Sequence, residues 1–229
     1  MEEYAIIVAG GSGTRMQSKT PKQFLLLAGK PVLMHTIEAF IQYSQQVKII
    51  LVLPESTQGY WNNLCTTHKF SHPIEIVNGG STRSESVING LSAIKNHESL
   101  VAIHDGVRPL VEPEIIGASY KLAQIHGSAI AATKLKESLR MVDEGASQSI
   151  DRAKYRSVQT PQTFKTTLIK AAYANLKSDL EFTDDASVAE KDGLKITLFD
   201  GSYENIKITT TEDLLFAESI FAQKNKAMK

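Results

Sequence analysis

Ala5-Ile6-Ile7-Val8-Ala9-Gly10-Gly11-Ser12-Gly13-Thr14-Arg15-Met16, followed closely by Pro21-Lys22-Gln23, decides how the rest of the chain is read. A short β-branched run enters a glycine-rich turn, as a buried strand does at a ligand-binding edge. Glycines let backbone N–H groups approach phosphates, and the cations Arg15 and Lys22 can neutralise them. The segment therefore points to a nucleoside triphosphate, and its details exclude the two commonest cradles. In Gly11-Ser12-Gly13-Thr14-Arg15-Met16 the third glycine of a dinucleotide fingerprint is replaced by Met16, and no acidic residue follows at the required distance. No Gly-Lys-Ser/Thr closes the turn as a P-loop would. The alternative is a purely structural turn.

Outward from this turn, apolar strands alternate with amphipathic helices. Val47 to Leu53 and Leu100 to His104 read as buried strands, and Ile74 to Val77 as a strand between them. Pro31 to Tyr43, Gln58 to Phe70, Ser84 to Ile94 and Pro113 to His126 read as helices. Ala129 to Ala132 opens another strand. Later come helices over Thr166 to Leu176, Asp184 to Lys191 and Thr211 to Gln223, with a strand at Ile196 to Phe199. This order predicts an α/β fold, a mostly parallel twisted sheet with helices on both faces. In such sheets ligands bind beyond the carboxyl ends of the strands. Gly10-Gly11, Gly79-Gly80 and Asp105-Gly106 all fall at such ends.

Residues 134–158 break the alternation. Lys134 to Val142 has a period of two, Asp143-Glu144-Gly145 is a turn, and Gln148 to Val158 is expected to return as the partner strand. A hairpin with no helix over it needs a surface, and a second subunit is the simplest one. The expectation is a single domain spanning 1–229 with this arm inserted, assembled as a homodimer.

The chain has 229 residues, 42% of them hydrophobic, and balances 25 Lys+Arg against 25 Asp+Glu. Zero net charge argues against a general nucleic-acid surface. The single cysteine, Cys65, precludes an intramolecular disulfide. Met1-Glu2-Glu3 lacks the basic start of a signal peptide, and no apolar run is long enough to span a bilayer. A cytoplasmic location is expected. His68 and His72 have metal-ligand spacing, but Pro73 ends any helix there. Cys65 has no nearby base, so a thiol nucleophile is unsupported.

Further clusters have both plain and functional readings. In Gly79-Gly80-Ser81-Thr82-Arg83-Ser84-Glu85-Ser86, Ser81 or Ser84 is expected to cap a helix, and the amides and hydroxyls to meet a base and ribose. Asp105, in His104-Asp105-Gly106-Val107-Arg108-Pro109, suits a metal ion, a ribose hydroxyl or a turn. Asp151-Arg152, Gln159-Thr160-Pro161-Gln162, Thr183-Asp184 and Asn205-Ile206-Lys207 add polar loops that carry Arg152 and Lys207.

Taken in this order, these motifs resemble the cytidylyltransferases that make 4-diphosphocytidyl-2-C-methyl-D-erythritol. The resemblance runs from about Tyr4 to Ala222. It implies transfer of a cytidylyl group from CTP to 2-C-methyl-D-erythritol 4-phosphate, with release of pyrophosphate and use of Mg²⁺, in non-mevalonate isoprenoid synthesis. By position, Arg15 and Lys22 would stabilise the pentacoordinate phosphorus, and Arg152 and Lys207 would hold the sugar phosphate. Ala9, Gly10, Gly11, Gly13, Gly80 and Ser86 would contact the nucleotide, and Asp105 the nucleotide or the metal. The resemblance also implies that the arm exchanges between subunits, so that Arg152 serves the partner's site. A ribitol 5-phosphate cytidylyltransferase is the alternative, and a non-catalytic nucleotide-binding module is the rival of another class.

The sequence departs from the family pattern at Gly10, where alanine is common, and at Ser81, where an acid is usual. Gly106-Val107 replaces two alanines, and Glu137-Ser138 stands where Asp-Thr is common. The chemistry is consistent with the residues. A phosphate monoester has a second pKa of about 6 and is already an anion at neutral pH. Catalysis then needs cations and positioning rather than a general base.

Overall fold

Tyr4, Ala5, Ile6 and Ile7 are all buried, as expected of a strand covered on both faces. They lie in β1 (Glu2–Val8), at the centre of the fold. The computed structural model describes residues 1–11, 20–176 and 182–227.

Six other strands join β1: β4 (Lys48–Leu53), β5 (Ile74–Asn78), β6 (Ser99–Asp105), β7 (Ser128–Lys134), β10 (Arg156–Lys165) and β11 (Leu198–Asp200). Two short strands, β2 (Leu26–Leu27) and β3 (Lys30–Pro31), pair with each other, as do β8 (Leu139–Asp143) and β9 (Ala146–Ile150). The seven-stranded sheet has the order β11-β7-β10-β6-β1-β4-β5. β1 pairs in parallel with both β4 and β6, with Val8 opposite Val52 on one side and Asp105 on the other. Only β10 runs antiparallel to its neighbours.

The helices are α1 (Val32–Tyr43), α2 (Glu55–Thr67), α3 (Arg83–Ala93), α4 (Pro113–His126), α5 (Thr166–Ala174), α6 (Asp185–Lys191) and α7 (Thr211–Ala227). Successive strand residues point to opposite faces. Ala5 and Ile7 therefore pack with Leu33, Phe40, Ile116 and Tyr120. Tyr4 and Ile6 pack on the other face with Val87, Leu91, Ile169 and Val188. A smaller cluster of Leu27, Val32, Leu110, Ile208 and Ala217 anchors α7.

The expected return strand from Gln148 to Val158 is instead two strands. β9 completes the arm hairpin with β8 and stops at Ile150. After a 3-10 turn over Arg152–Lys154, β10 enters the main sheet between β7 and β6. Pro161 argues against a central strand because it offers no N–H. The register of β10 against β7 shifts between Val158 and Gln162, so Pro161 sits where the ladder asks for no donor.

Candidate active site

The carboxyl ends of β1, β5 and β6 converge on a cleft of about 310 Å³. Ala9, Gly10, Gly11, Lys22, Gly80, Ser86, Asp105 and Lys207 all line it. Backbone hydrogen bonds set its rim: Gly106 donates to Val8 at 2.9 Å, and Gly79 donates to Leu53 at 2.9 Å. Lys22 follows directly in the wall, its side chain running past Gly11. The buried Gln23 fixes that segment by donating from Nε2 to the Ala9 carbonyl at 2.8 Å. Arg15 and Gly13 lie outside the described residues.

The second glycine turn is held by α3. Thr82, rather than Ser81 or Ser84, is the N-cap, in a reciprocal capping box with Glu85. The Glu85 carboxylate also accepts from the Ser81 N–H at 2.6 Å. Its pKa is lowered by the Ser81 hydroxyl and backbone, and further by Thr82. Ser86 Oγ accepts from the Gly80 N–H at 3.0 Å and donates to the Thr82 carbonyl at 2.9 Å. A Cβ on Gly80 would lie 2.2 Å from Glu85 Cβ, so this turn has room only for glycine.

Asp105, at the end of β6, is buried. Its Oδ2 accepts from Arg108 Nε at 3.1 Å and pairs with Lys207 Nζ at 3.1 Å. Burial alone would raise this pKa; Lys207, Arg108 and Arg83 more than offset it and hold the carboxyl well below the ordinary range. Arg108 is pinned in turn, with Nη1 donating to the Asn205 carbonyl at 2.8 Å.

A fixed proton arrangement underlies this loop. Burial lowers the His104 pKa to about 4, although the adjacent Asp105 opposes the shift, so the imidazole is neutral near pH 7. Its Nε2 lies 3.3 Å from the Arg108 carbonyl, which can only accept, so Nε2 carries the hydrogen. Nδ1 is then an acceptor, and the Thr160 hydroxyl 3.1 Å away donates to it. Thr160 Oγ1 itself accepts from the Asp105 N–H at 3.1 Å. His104 and Thr160 thus orient both ends of the Asp105–Arg108 turn.

A second cavity of about 400 Å³ shares a wall with the cleft. Arg83, Asp105 and Lys207 line both. Thr160, Gln162, Thr183 and Asp184 line only the second. Gln162 organises this side: Oε1 accepts from the N–H groups of Asp185 and Ala186 at 2.9 and 2.8 Å, and Nε2 donates to Asp184 at 2.9 Å. Asp184 also caps α6 by accepting from the Ser187 N–H at 3.0 Å.

Arg152 is exposed, donates to the Lys136 carbonyl and lines neither cavity of its own chain. Sequence reading assigned no role to Arg83, Arg108 or Gln162. Arg83 meets Asp185 across 102 positions and Gln162 meets Asp184 across 22, while Arg108 bonds both Asp105 three positions away and the carbonyl of Asn205 across 97. Among the described residues, no group of three or more His, Cys, Asp or Glu side chains is placed to hold a metal ion. Nor is any helix long and apolar enough to cross a membrane.

The family model for 2-C-methyl-D-erythritol 4-phosphate cytidylyltransferase matches residues 4–223. A protein of that name from Phocaeicola vulgatus is 48% identical over 218 residues, covering 95% of this chain and 99% of the relative. One from Bacteroides thetaiotaomicron is 46% identical over 220 residues, covering 96% of this chain and 100% of the relative. The crystal structure of 4-diphosphocytidyl-2C-methyl-D-erythritol synthase from Anaerococcus prevotii superposes with a TM-score of 0.84 at 31% identity, covering 96% of each chain. That of the cytidylyltransferase from Thermus thermophilus gives 0.80 at 29% identity, covering 96% of this chain and 98% of the other. These matches lend no support to the ribitol 5-phosphate alternative. Converging glycine turns, a shared cationic wall and full-length similarity lead to one conclusion: the chain belongs to the 2-C-methyl-D-erythritol 4-phosphate cytidylyltransferase family.

Proposed function

We propose that the two cavities divide the family's reaction between them, the first holding CTP and the second 2-C-methyl-D-erythritol 4-phosphate. The carrying observation is the shared wall of Arg83, Asp105 and Lys207, which brings donor and acceptor sites into contact. An oxygen of the sugar phosphate attacks the α-phosphorus of CTP. The new P–O bond forms as the bond to pyrophosphate breaks. The nucleophile is already an anion, so no base is required; repulsion between anions and the charge developing at phosphorus oppose the reaction.

The backbone at Ala9, Gly10 and Gly11, with Gly80 and Ser86, receives the nucleoside, and the Gly13 segment receives the phosphates. Lys22 and Arg15 stabilise the pentacoordinate phosphorus. Lys207 holds the acceptor phosphate from its own chain, and Arg152 holds it from the partner subunit. Residues 1–229 act as one catalytic domain, and the arm at about 134–158 forms the homodimer.

A Mg²⁺ ion bound with a nucleotide commonly takes one or two carboxylates, the substrate phosphates and water. Asp105 is the only acidic side chain lining the cleft among the described residues, and it supplies the one carboxylate that such a set needs. Asp105 would hold the ion, which supplies positive charge to the phosphates when bound. Pyrophosphate release from CTP, dependent on methylerythritol phosphate, is the test of this reading. Release that is independent of the acceptor, or absent, would reject it.

A further inference from the structure

The Arg83 side chain reaches from the nucleotide half of the site into the acceptor half. It occupies the first position of α3, directly after the Gly80–Thr82 turn. Its guanidinium grips Asp185 through two bonds, Nη1 to Oδ1 at 3.0 Å and Nη2 to Oδ2 at 2.6 Å. Such a fork fixes both distance and orientation, unlike a single-point ion pair. Asp185 is fully buried and opens α6, beside Thr183 and Asp184 of the acceptor wall. It is held from two further directions. Tyr173 OH donates to Oδ1 at 2.6 Å, and the Asp185 N–H donates to Gln162 Oε1 at 2.9 Å.

We propose that Arg83 and Asp185 are a positioning pair that sets the separation and alignment of nucleotide and acceptor phosphate. The proposal rests on the two-cavity reading above. Neither residue is assigned a bond to a reacting atom. In-line displacement depends steeply on alignment, so a small relative shift of the two walls lowers turnover even with both substrates bound. Arg83 is the only one of the three shared-wall residues whose paired carboxylate belongs to α6.

The test compares wild type with Arg83→Gln, Asp185→Asn and the double variant. It measures kcat at saturating CTP and acceptor, CTP affinity by calorimetry, and folding by circular dichroism. The expected result is a fall in kcat of about 10-fold or more in each single variant, with CTP affinity changed by less than about 3-fold. The double variant should fall no further, because one unit is broken once. If Asp185→Asn does not fold, Arg83→Lys decides, since it keeps the charge but loses the fork; its kcat should fall several-fold while CTP binding holds. Unchanged kcat in a folded variant overturns the proposal, as does a loss confined to CTP binding. Wild-type protein without acceptor-dependent turnover would instead reject the underlying two-cavity reading.

Discussion

Lys207 Nζ lies 3.1 Å from Asp105 Oδ2, on the same oxygen that accepts the Arg108 Nε hydrogen at 3.1 Å. A lysine from the end of the chain thereby joins a strand terminus near its middle, at the wall between the cavities. The Lys207 side chain is 40% exposed, so this contact holds its ammonium at the site without locking it away from a ligand. Lys22 lines the nucleotide cleft but not the acceptor cavity, whereas Lys207 lines both.

The two lysines should therefore fail differently. Lys207→Ala is expected to raise the acceptor KM by about 10-fold or more with a smaller effect on CTP, and Lys22→Ala to depress kcat far more than CTP binding. Initial rates of pyrophosphate release with each substrate varied in turn separate the two. Equal effects on both KM values would remove the division of roles.

Glycine substitutions should separate close approach from open space. A Cβ at Gly80 meets Glu85 Cβ at 2.2 Å, whereas the nearest atoms to one at Gly10 are 3.9 Å away. Gly80→Ala must push Glu85 aside and disturb the capping box, costing about 2 kcal/mol in urea unfolding together with CTP affinity. Gly10→Ala should change stability by less than about 0.5 kcal/mol and CTP affinity by less than about twofold, as ordinary van der Waals contact permits. Similar behaviour of the two variants would contradict the geometry.

His104 makes stability depend on pH. Its folded pKa is lowered from 6.5 to about 4, chiefly by burial. Between these values the unfolded chain binds the proton and the folded chain does not. Stability present above pH 6.5 is therefore lost as pH falls toward 4, by about 3 kcal/mol for this group. The buried His35 acts with the same sign. Asp105, held below its ordinary 3.8 despite burial, acts only at more acidic pH. Urea midpoints from pH 7.5 to 4.5 should fall more steeply for wild type than for His104→Asn; equal slopes would refute the assignment.

The arm predicts a shared site. Its hairpin exposes apolar side chains on both faces, Met141 at 55% and Val142 at 70%. Sedimentation should give a dimer. Mixing Arg152→Ala with Lys22→Ala chains should restore activity, because one of the two sites in a mixed dimer then has both residues intact. At full exchange that is about a quarter of all sites. No recovery on proven exchange would place Arg152 in service of its own chain.

Much of this arrangement was legible in periodicity. Pro113 to His126 forms the helix its spacing predicts, and the buried strand at 48–53 and the half-exposed edge strand at 74–78 fall within a residue of their apolar runs. The glycine turns sit at the cleft because parallel strands must end together at one sheet edge. What stayed hidden depends on tertiary pairing. Gln159 to Gln162, expected as a polar loop, lies inside β10, where the register shift spares Pro161 the N–H it lacks. Thr82, not a neighbouring serine, caps α3 because Glu85 stands three positions later to complete the box. Arg83 and Asp185 carry no mutual signal along the sequence; the fold alone joins them.

Passage of a cytidylyl group from the nucleotide cleft to a methylerythritol phosphate in the adjoining cavity should release pyrophosphate only when that acceptor is present. The most direct measurement is pyrophosphate release by the purified wild-type chain with CTP and Mg²⁺, run in parallel with 2-C-methyl-D-erythritol 4-phosphate, with ribitol 5-phosphate and with no acceptor. Turnover is expected with the first and only background with the others. Turnover with ribitol 5-phosphate alone, or none with any acceptor, would contradict it.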